Sequence, residues 1–193
     1  MIILAAGAST RLGQPKQLLS YQGKTLIQHI TEVGIHSFCQ PLVVILGAYA
    51  EIIQPHLANL DIHIVYNQSW STGMASSIQC GLNAIQTIAP NIDAIVLMLC
   101  DQPFVSPDLI NRLVREYQTT NYKIVASEYA GIVGVPALFD KTLFSELALL
   151  QGDIGARKTI RQHFSSCLSV PFSEGAIDLD TIEDYERFQV HQI

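Results

Sequence analysis

The sequence predicts an α/β fold of three layers, with a mainly parallel central sheet covered by helices on both faces. Short β-branched and apolar runs alternate along the chain with longer amphipathic stretches, and this alternation is typical of parallel strands joined by crossover helices. The strand runs are apolar throughout, as expected for strands buried on both faces. The chain of 193 residues is 49% hydrophobic, which is enough for one substantial core. We therefore expect a single domain that spans residues 1–193.

The apolar runs and amphipathic stretches give the order of the elements. We predict strands over residues 2–5, 42–46, 62–66, 94–100, 123–126, 135–139 and 168–170. We predict helices over residues 25–37, 48–57, 74–88, 107–119, 141–149, 154–164 and 182–190. Ser106 can cap a helix that begins at Pro107, where the missing N–H costs nothing. Pro90 and Asn91 interrupt the chain before the strand over 94–100.

The composition restricts the partners and the location of the protein. The net charge is −6 at pH 7, whereas proteins that bind nucleic acid or anionic membranes carry basic patches, so neither is expected as a main partner. No apolar run approaches the roughly 20 residues of a membrane-spanning helix. The first residues do not have the pattern of a secretory leader, so we expect a cytoplasmic protein. The four cysteines form no C-x-x-C pair, which favours reduced thiols over zinc or disulfides.

A loop of small residues follows the first predicted strand. It contains Gly7 and Gly13 together with two cations, Arg11 and Lys16. Small residues let backbone N–H groups approach a ligand, and the cations supply charge for phosphate oxygens, so the loop predicts phosphate binding. Its spacing fits neither the common P-loop nor the dinucleotide G-x-G-x-x-G pattern. The alternative is an ordinary glycine-rich turn after a strand.

A carboxylate follows the most apolar strand. Asp101 ends the apolar run over residues 95–100. Mg²⁺ usually takes one or two protein carboxylates together with phosphate oxygens, so Asp101 is a candidate metal ligand. Asp101 could instead cap the next helix, but Ser106 already fills that position. In open parallel sheets the ligand crevice lies outside the carboxyl ends of the strands, so Asp101 and the Gly7 loop are expected to converge.

Two further loops lie next to predicted helices. Residues 67–77 lead into a helix whose N-terminus could bind phosphate, ribose or base oxygens, although Ser71 or Thr72 could simply be its N-cap. We interpret Trp70 in this segment as a packing residue and not as a stacking platform. Residues 152–157 could shape an acceptor pocket in which Arg157 meets an anion, or could be an ordinary helix C-cap and connector.

A pair of carboxylates precedes the last predicted helix. Asp178 and Asp180 lie on one face if this segment is extended. Asp180 could be a metal ligand or the N-cap of the helix, because aspartate is a preferred capping residue. Thr181 could also take the capping role and leave Asp180 to face the metal.

Five segments, taken in order, resemble the MobA-like nucleotidyltransferases, and most closely their molybdenum cofactor cytidylyltransferase branch. The opening segment, from Leu4 to Lys16, matches the family signature at every specified position. The others are residues 67–77, 100–103, 152–157 and 178–181. The resemblance therefore extends over nearly the whole chain.

The resemblance implies a Rossmann-like nucleotidyltransferase fold and transfer of a nucleoside monophosphate from an NTP to the terminal phosphate of molybdopterin cofactor, with release of pyrophosphate. It implies Mg²⁺ held by Asp101 and, through more distant cytidylyltransferases, by Asp180 rather than Asp178. Ala6, where guanylyltransferase relatives have glycine, favours CTP over GTP. The implied partners are CTP or another NTP, the molybdopterin cofactor, and a molybdoenzyme or its maturation factor.

The resemblance and the residue chemistry together give a candidate site. Catalysis is assigned to three charged side chains, Arg11, Lys16 and Asp101. Metal binding is assigned to Asp101 and Asp180. Nucleotide binding is assigned to Leu4, Ala5, Ala6, Gly7, Arg11, Lys16, Gly73 and Ser76. Acceptor binding is assigned to Gly134, Pro136, Gly155 and Arg157.

The predicted acceptor region departs from the family pattern. The family usually has Gly-His-Pro where this chain has Gly134-Val135-Pro136, and the loss of an imidazole leaves the acceptor open. A guanylyl- or sugar-phosphate nucleotidyltransferase would keep the same NTP-binding residues and use another base or acceptor. A non-catalytic carrier or maturation factor for a molybdoenzyme would bind nucleotide or pterin without turnover. Retention of Arg11, Lys16 and Asp101 together favours an enzyme.

Overall fold

Within the residues that the computed structural model describes, namely 1–177, 179 and 184–186, seven strands form the central sheet and two short strands form a separate hairpin. In chain order the strands are β1 (Ile2–Ala5), β2 (Ser20–Tyr21), β3 (Lys24–Thr25), β4 (Val43–Leu46), β5 (His63–Tyr66), β6 (Ala94–Leu99), β7 (Ile124–Tyr129), β8 (Ile132–Asp140) and β9 (Cys167–Pro171). The order in the sheet is β5-β4-β1-β6-β8-β7-β9, and β2 pairs with β3.

The sheet is mainly parallel, as predicted. β4 pairs in parallel with β1 and β5, and β6 pairs in parallel with β1. β8 is antiparallel to both β6 and β7. A two-residue turn joins β7 to β8, and φ is positive at both residues, 48° at Ala130 and 72° at Gly131, as in the turns that join hairpin strands. Because the hairpin continues to this turn, β7 and β8 are longer than the predicted 123–126 and 135–139.

The helices have the predicted order, with differences in length. They are α1 (Leu26–Ile35), α2 (Ala50–Ile53), α3 (Met74–Ile88), α4 (Pro107–Thr119), α5 (Phe144–Ala148) and α6 (Arg157–Gln162). Both α3 and α4 have the predicted bounds. Ser106 caps α4 as predicted, since its Oγ accepts a hydrogen bond from the N–H of Leu109 at 3.2 Å. Beside α2, α5 and α6, 3₁₀ turns replace part of the predicted helices. The predicted helix over 182–190 lies mostly outside the described residues.

Helices pack on both faces of the sheet, so the fold has the predicted three layers. Alternate side chains of a strand point to opposite faces: Ile3 packs with buried residues of α1 and α4, and Ile2 with those of α3, α5 and α6. Gly81 brings α3 close to β1, because a Cβ there would lie 2.6 Å from Ile2 Cγ2. None of the helices in the described part of the chain is both long and apolar enough to cross a membrane.

Candidate functional site

The loop after β1 and the residue after β6 meet at the carboxyl edge of the sheet, as the sequence predicts. β1 and β6 are hydrogen-bonded neighbours, which brings the Gly7 loop and Asp101 side by side. Together with the start of α3 they border a cavity of about 350 Å³, which we call the loop cavity. Its lining includes six of the eight residues predicted to bind nucleotide: Leu4, Ala5, Ala6, Gly7, Lys16 and Gly73.

Lys16 and Asp101 form an ion pair on the wall of the loop cavity. Lys16 Nζ donates a hydrogen bond to Asp101 Oδ2, and the two side chains are only 17% and 11% exposed. The backbone N–H of Lys16 donates to Ser9 Oγ at 3.1 Å. The second carboxylate oxygen, Asp101 Oδ1, is buried and has no hydrogen-bond partner among the described residues. A buried polar atom without a partner is destabilising, so Oδ1 is suited to a cation.

The thiol next to this pair does not add a nucleophile. Cys100 also lines the loop cavity. Burial raises the pKa of Cys100 to about 12, and the charge of Asp101 acts in the same direction. The thiol therefore stays protonated near pH 7, where only a thiolate would attack a substrate. Over the residues that are described, no three His, Cys, Asp or Glu side chains are grouped to hold a metal, so a cation at Asp101 would need ligands from a substrate or from elsewhere.

A buried amide holds the loop after β1. Gln17 is 1% exposed, and its Nε2 donates to the carbonyl oxygens of Ala5 at 2.9 Å and Gly7 at 3.0 Å. These two hydrogen bonds fix the backbone of the loop, and Gln17 itself lines the loop cavity. The loop is thus ordered before a ligand arrives, which reduces the entropy that binding must overcome.

The segment that leads into α3 forms the opposite wall. Asn67 is buried, and its Nδ2 donates to Ser76 Oγ at 2.8 Å and to Ser77 Oγ at 3.0 Å. Ser76 Oγ also donates to the carbonyl oxygen of Gly73 at 2.8 Å. The hydroxyl of Ser76 therefore forms its hydrogen bonds within this wall. Ser76, which is predicted to bind nucleotide, is not among the residues that line the loop cavity, whereas Ser77 is.

Gly73 is the N-cap of α3 and joins this wall to the loop before α6. Its φ is 112°, and a Cβ at this position would lie 2.3 Å from the carbonyl carbon of Gly152. An N–H in the first turn of α3 donates to the carbonyl oxygen of Gly152 at 3.0 Å. This contact brings Asp153 to the lining of the loop cavity. Because Gly73 is the N-cap, the alternative that Ser71 or Thr72 caps this helix is wrong.

A second cavity of about 250 Å³ adjoins the loop cavity. The residues that line both are Leu4, Met74, Leu99 and Asp153. Three of the four predicted acceptor residues line the second cavity: Gly134, Gly155 and Arg157. Pro136, the fourth, is not among its lining residues. It is buried in β8, and its carbonyl oxygen accepts a hydrogen bond from Ser127 Oγ at 2.7 Å. Val135, which stands where the resemblance expects histidine, lines this cavity.

Arg11 is exposed in the turn after the small-residue loop and is not among the residues that line either cavity.

Asp178, Asp180 and Thr181 lie outside the described residues. Leu179 is described: it is buried, and its N–H donates to the backbone carbonyl oxygen of Asp101 at 3.4 Å. The chain therefore passes beside Asp101 at Leu179.

Residues 1–167 match the family model of the MobA-like NTP transferase domain. This span includes the loop after β1, Asp101, the wall before α3 and the loop before α6. The chain belongs to the MobA-like NTP transferase domain family. The resemblance to the MobA-like nucleotidyltransferases is thereby confirmed, and four of the five segments that carry it lie within the matched span. The coarse assignment of the protein as a nucleotidyltransferase of this family is confirmed with it.

The chain is similar over nearly its whole length to several known proteins and solved structures. Nicotine blue oxidoreductase of Paenarthrobacter nicotinovorans is 33% identical over 198 residues, which cover 96% of this chain and 94% of that protein. Molybdenum cofactor cytidylyltransferase of Escherichia coli (strain K12) is 23% identical over 185 residues, or 95% and 92% of the two chains. The crystal structure of Rv0371c from Mycobacterium tuberculosis H37Rv in complex with manganese has a TM-score of 0.80 at 31% identity, over 96% of this chain and 95% of that one.

Sequence analysis missed the role of two residues of this MobA-like site. Gln17 directly follows Lys16, but nothing in the local pattern signals that its amide is buried under the loop. Trp70 packs closely on Gly47, but it also lines the loop cavity and is 36% exposed, which the interpretation as a packing residue does not include. The available signal was its place in a small-residue loop just before a helix N-terminus.

Proposed function

We propose that this MobA-like protein transfers CMP from CTP to the terminal phosphate of the molybdopterin cofactor and releases pyrophosphate. One observation carries the proposal: the Lys16–Asp101 pair lies on the wall of the loop cavity, and the second cavity adjoins the loop cavity. Two adjoining cavities of about 350 Å³ and 250 Å³ suit a reaction that joins two substrates. CTP would occupy the loop cavity, and the acceptor would occupy the second cavity.

The cations of the first loop support a triphosphate site. The side chain of Lys16 is only 17% exposed, so water screens its charge less than at the surface. Arg11 is exposed on the same loop, and we assign it as a second cation for the phosphates. Ala6 lines the cavity and supports the preference for CTP that the resemblance implies.

The donor atoms of the site fit a magnesium ion. Asp101 Oδ1 is a buried oxygen without a partner among the described residues, and carboxylate oxygens are ligands that Mg²⁺ prefers. Asp180 is proposed as the second ligand, and the hydrogen bond from Leu179 to Asp101 supports this assignment. When bound, Mg²⁺ supplies positive charge to the phosphate oxygens. The manganese in the Rv0371c structure supports a divalent cation in a related protein.

The side chains of the protein act by positioning and by charge. The acceptor phosphate is ionised and is itself the nucleophile, so no general base is needed. It attacks the α-phosphorus of CTP, and the bond from that phosphorus to the bridging oxygen of pyrophosphate breaks. Lys16 and Arg11 offset the charge that develops on pyrophosphate, and Arg157 holds the acceptor phosphate. Unit charges about 4 Å apart repel by about 4 kcal/mol at an effective dielectric of about 20, so these cations lower a substantial barrier.

Incubation with Mg²⁺, molybdopterin and each NTP in turn, followed by mass analysis, tests the proposal. We expect the cytidine dinucleotide of the cofactor and one pyrophosphate for each product molecule, with CTP preferred. Product from GTP in place of CTP would identify a guanylyltransferase, and turnover only with a sugar phosphate would identify a different acceptor. Cofactor binding without pyrophosphate release from any NTP would identify a carrier and contradict the transferase.

Reduction of an aromatic compound is a second candidate function. It is favoured by the 33% identity to nicotine blue oxidoreductase and by the lining of the second cavity. That lining has Val135 in place of an imidazole, and it is mostly apolar. Its further apolar side chains are those of Leu4, Met74, Ile78, Leu97, Met98, Leu99 and Ala156. A reduced nicotinamide dinucleotide in the loop cavity would then donate hydride to a ring in the second cavity and leave as the oxidised dinucleotide, and a proton from water would complete the reduction of the ring. Oxidation of this dinucleotide by nicotine blue, without pyrophosphate release from any NTP, would establish this candidate over the transferase.

A further inference from the structure

We infer that the indole of Trp70 stacks on the base of the bound nucleotide and strengthens the binding of all NTPs to a similar degree. This inference rests on the proposed nucleotide site. Trp70 lines the loop cavity and is 36% exposed. A large aromatic surface on a cavity wall is available to a ligand with a flat face, and every nucleobase has one.

The position of Trp70 is fixed at its backbone and Cβ. Gly47, the residue after β4, packs against it so closely that a Cβ on Gly47 would lie 2.7 Å from Trp70 Cβ and 2.6 Å from the carbonyl oxygen of Ala6. The N–H of Ala48 donates to the same oxygen of Ala6 at 3.1 Å. The Cβ of Trp70 therefore lies close to Ala6, and the side chain lines the cavity while the residue keeps 36% of its surface exposed.

Trp70 and the Lys16–Asp101 pair lie on opposite sides of β1. Trp70 packs on Gly47 after β4, whereas Asp101 follows β6, and β4 and β6 flank β1 on its two sides. Neighbouring strands are about 4.8 Å apart, so these two features are separated by about 10 Å along the sheet edge. A nucleoside triphosphate has its base and its phosphates at opposite ends. With phosphates at Lys16, the base falls beside Trp70.

Stacking strengthens the binding of a nucleotide but does not select which base is bound. Stacking depends on the π-face of the base and tolerates any base, whereas selection needs groups that contact the base edge. Loss of the indole should therefore weaken CTP, GTP, ATP and UTP alike and leave the order of preference unchanged. The interaction is made in both the ground state and the transition state, so KM should rise while kcat stays near the parent value.

Trp70 is the only tryptophan of the chain, so its fluorescence reports on this site directly. The full chain is titrated with CTP and Mg²⁺ in the absence of any acceptor, with calorimetry as a second measure of binding. We expect saturable fluorescence quenching at the calorimetric Kd, and reduced quenching by acrylamide in the complex.

Variants then test the energetic role. We expect Trp70→Leu to raise Kd at least about fivefold for each of the four NTPs, and Trp70→Phe, which keeps a flat ring, to retain most of the affinity. Phe164→Leu is the control, because Phe164 is 64% exposed and is not among the residues lining either cavity. Its Kd should match that of the parent chain.

Three results would overturn the inference. CTP binding by calorimetry with unchanged tryptophan fluorescence would show that the indole does not contact the base, and this test does not require a folded variant. Equal affinities for Trp70→Leu and the parent, or a loss confined to CTP, would also overturn it while the nucleotide site stands. If none of the four NTPs binds by calorimetry, the proposed function fails together with this inference.

Discussion

The burial of the Lys16–Asp101 pair separates it from an ordinary surface ion pair. Its side chains are 17% and 11% exposed, whereas those of Lys24 and Glu32 are 50% and 30% exposed. Partly dehydrated charges are destabilising unless they are well paired, and Asp101 Oδ1 has no partner among the described residues. Incompletely satisfied charges in a cleft are typical of functional sites.

Removal of either charge should abolish most of the transferase activity. We expect Lys16→Ala and Asp101→Ala each to lower kcat at least about 100-fold, or about 2.7 kcal/mol of barrier. Pyrophosphate release measures the effect. Lys24→Ala is the control, since it removes one partner of an exposed ion pair, and its kcat should equal that of the parent. Turnover near the parent value in Lys16→Ala or Asp101→Ala would refute their assignment.

A second prediction for a single residue concerns Gln17. Gln17→Leu removes the donor to the carbonyl oxygens of Ala5 and Gly7, so the loop should lose its fixed conformation. We expect KM for CTP to rise about tenfold and the free energy of unfolding to fall by about 1–3 kcal/mol. Steady-state kinetics and urea unfolding measure the two effects.

Gln79→Leu is the matched control for this variant. Gln79 also donates to two backbone carbonyl oxygens, those of Ala148 and Leu150, at 2.9 and 2.8 Å, but it does not line the loop cavity. It should lose stability with KM unchanged. Equal KM values for the two variants would mean that Gln17 has only a structural role.

At the scale of elements, the sequence predicts the bounds of a helix well where a local signal marks its end. The bounds of α4 follow from Ser106 and Pro107, and those of α3 follow from the small-residue loop that ends at Gly73. The predicted strands over 123–126 and 135–139 are too short, and the β7–β8 hairpin is not predicted, because its turn, Ala130-Gly131, is not one of the dipeptides most typical of such turns. The antiparallel direction of β8 depends on that turn and on pairing with β6, which are not visible in the apolar pattern.

The junction of α3 with the loop before α6 should be sensitive to a single methyl group. Gly73→Ala places a Cβ 2.3 Å from the carbonyl carbon of Gly152 at a φ of 112°, so the loop that contains Asp153 must move. We expect a loss of more than about 2 kcal/mol in the free energy of unfolding and a raised KM for the acceptor. Urea unfolding and kinetics measure these effects.

Gly131→Ala separates backbone strain from steric overlap. Its φ is 72°, but a Cβ there would meet nothing within 4 Å, so only strain of about 1 kcal/mol is expected, with kinetics unchanged. If both variants were equally stable and active, Gly73 would not hold the two loops together.

At the scale of the whole molecule, Asp140 links the sheet to α4. Asp140 is 5% exposed; its Oδ2 accepts a hydrogen bond from Tyr117 at 2.6 Å, and its Oδ1 accepts one from the N–H of Thr142 at 3.0 Å. Burial opposes ionisation, but the hydrogen bonds from Thr142 and Tyr117 and the charge of Lys123 outweigh it and lower the pKa of Asp140 to about 2.

The lowered pKa of Asp140 predicts how the free energy of unfolding depends on pH. Because the folded pKa lies below the ordinary value of 3.8, ionised Asp140 stabilises the fold above pH 3.8, and this contribution is lost as the pH falls through about 2. Asp140→Asn should lower the free energy of unfolding at pH 7 by up to about 2 kcal/mol, with a smaller loss in acid. Urea unfolding at pH 7 and pH 3 measures it.

An exposed carboxylate supplies the control for the acid prediction. Asp93→Asn breaks an ion pair with Lys141 whose side chains are 73% and 58% exposed, and such pairs contribute little. A loss for Asp140→Asn that is the same at every pH would mean that packing, and not ionisation, explains its role.

The sequence predicts those parts of the site that lie within one short segment of the chain. The Gly7 loop, Lys16 and Asp101 follow directly after β1 and β6, so a strand prediction already places them at one edge. The roles of Gln17 and Trp70 depend on contacts with Gly7 and Gly47, which lie elsewhere in the chain. The contact of Trp70 requires β4 to lie beside β1, and that of Gln17 requires the loop after β1 to fold back on itself. Local patterns contain neither.

A crystal structure of the protein with CTP and Mn²⁺ tests the central claim most directly, because anomalous scattering locates the metal. We predict one manganese ion at Asp101 Oδ1 and the triphosphate against Lys16 Nζ in the loop cavity. Manganese bound away from Asp101, or a triphosphate that does not contact Lys16, would contradict the proposed site.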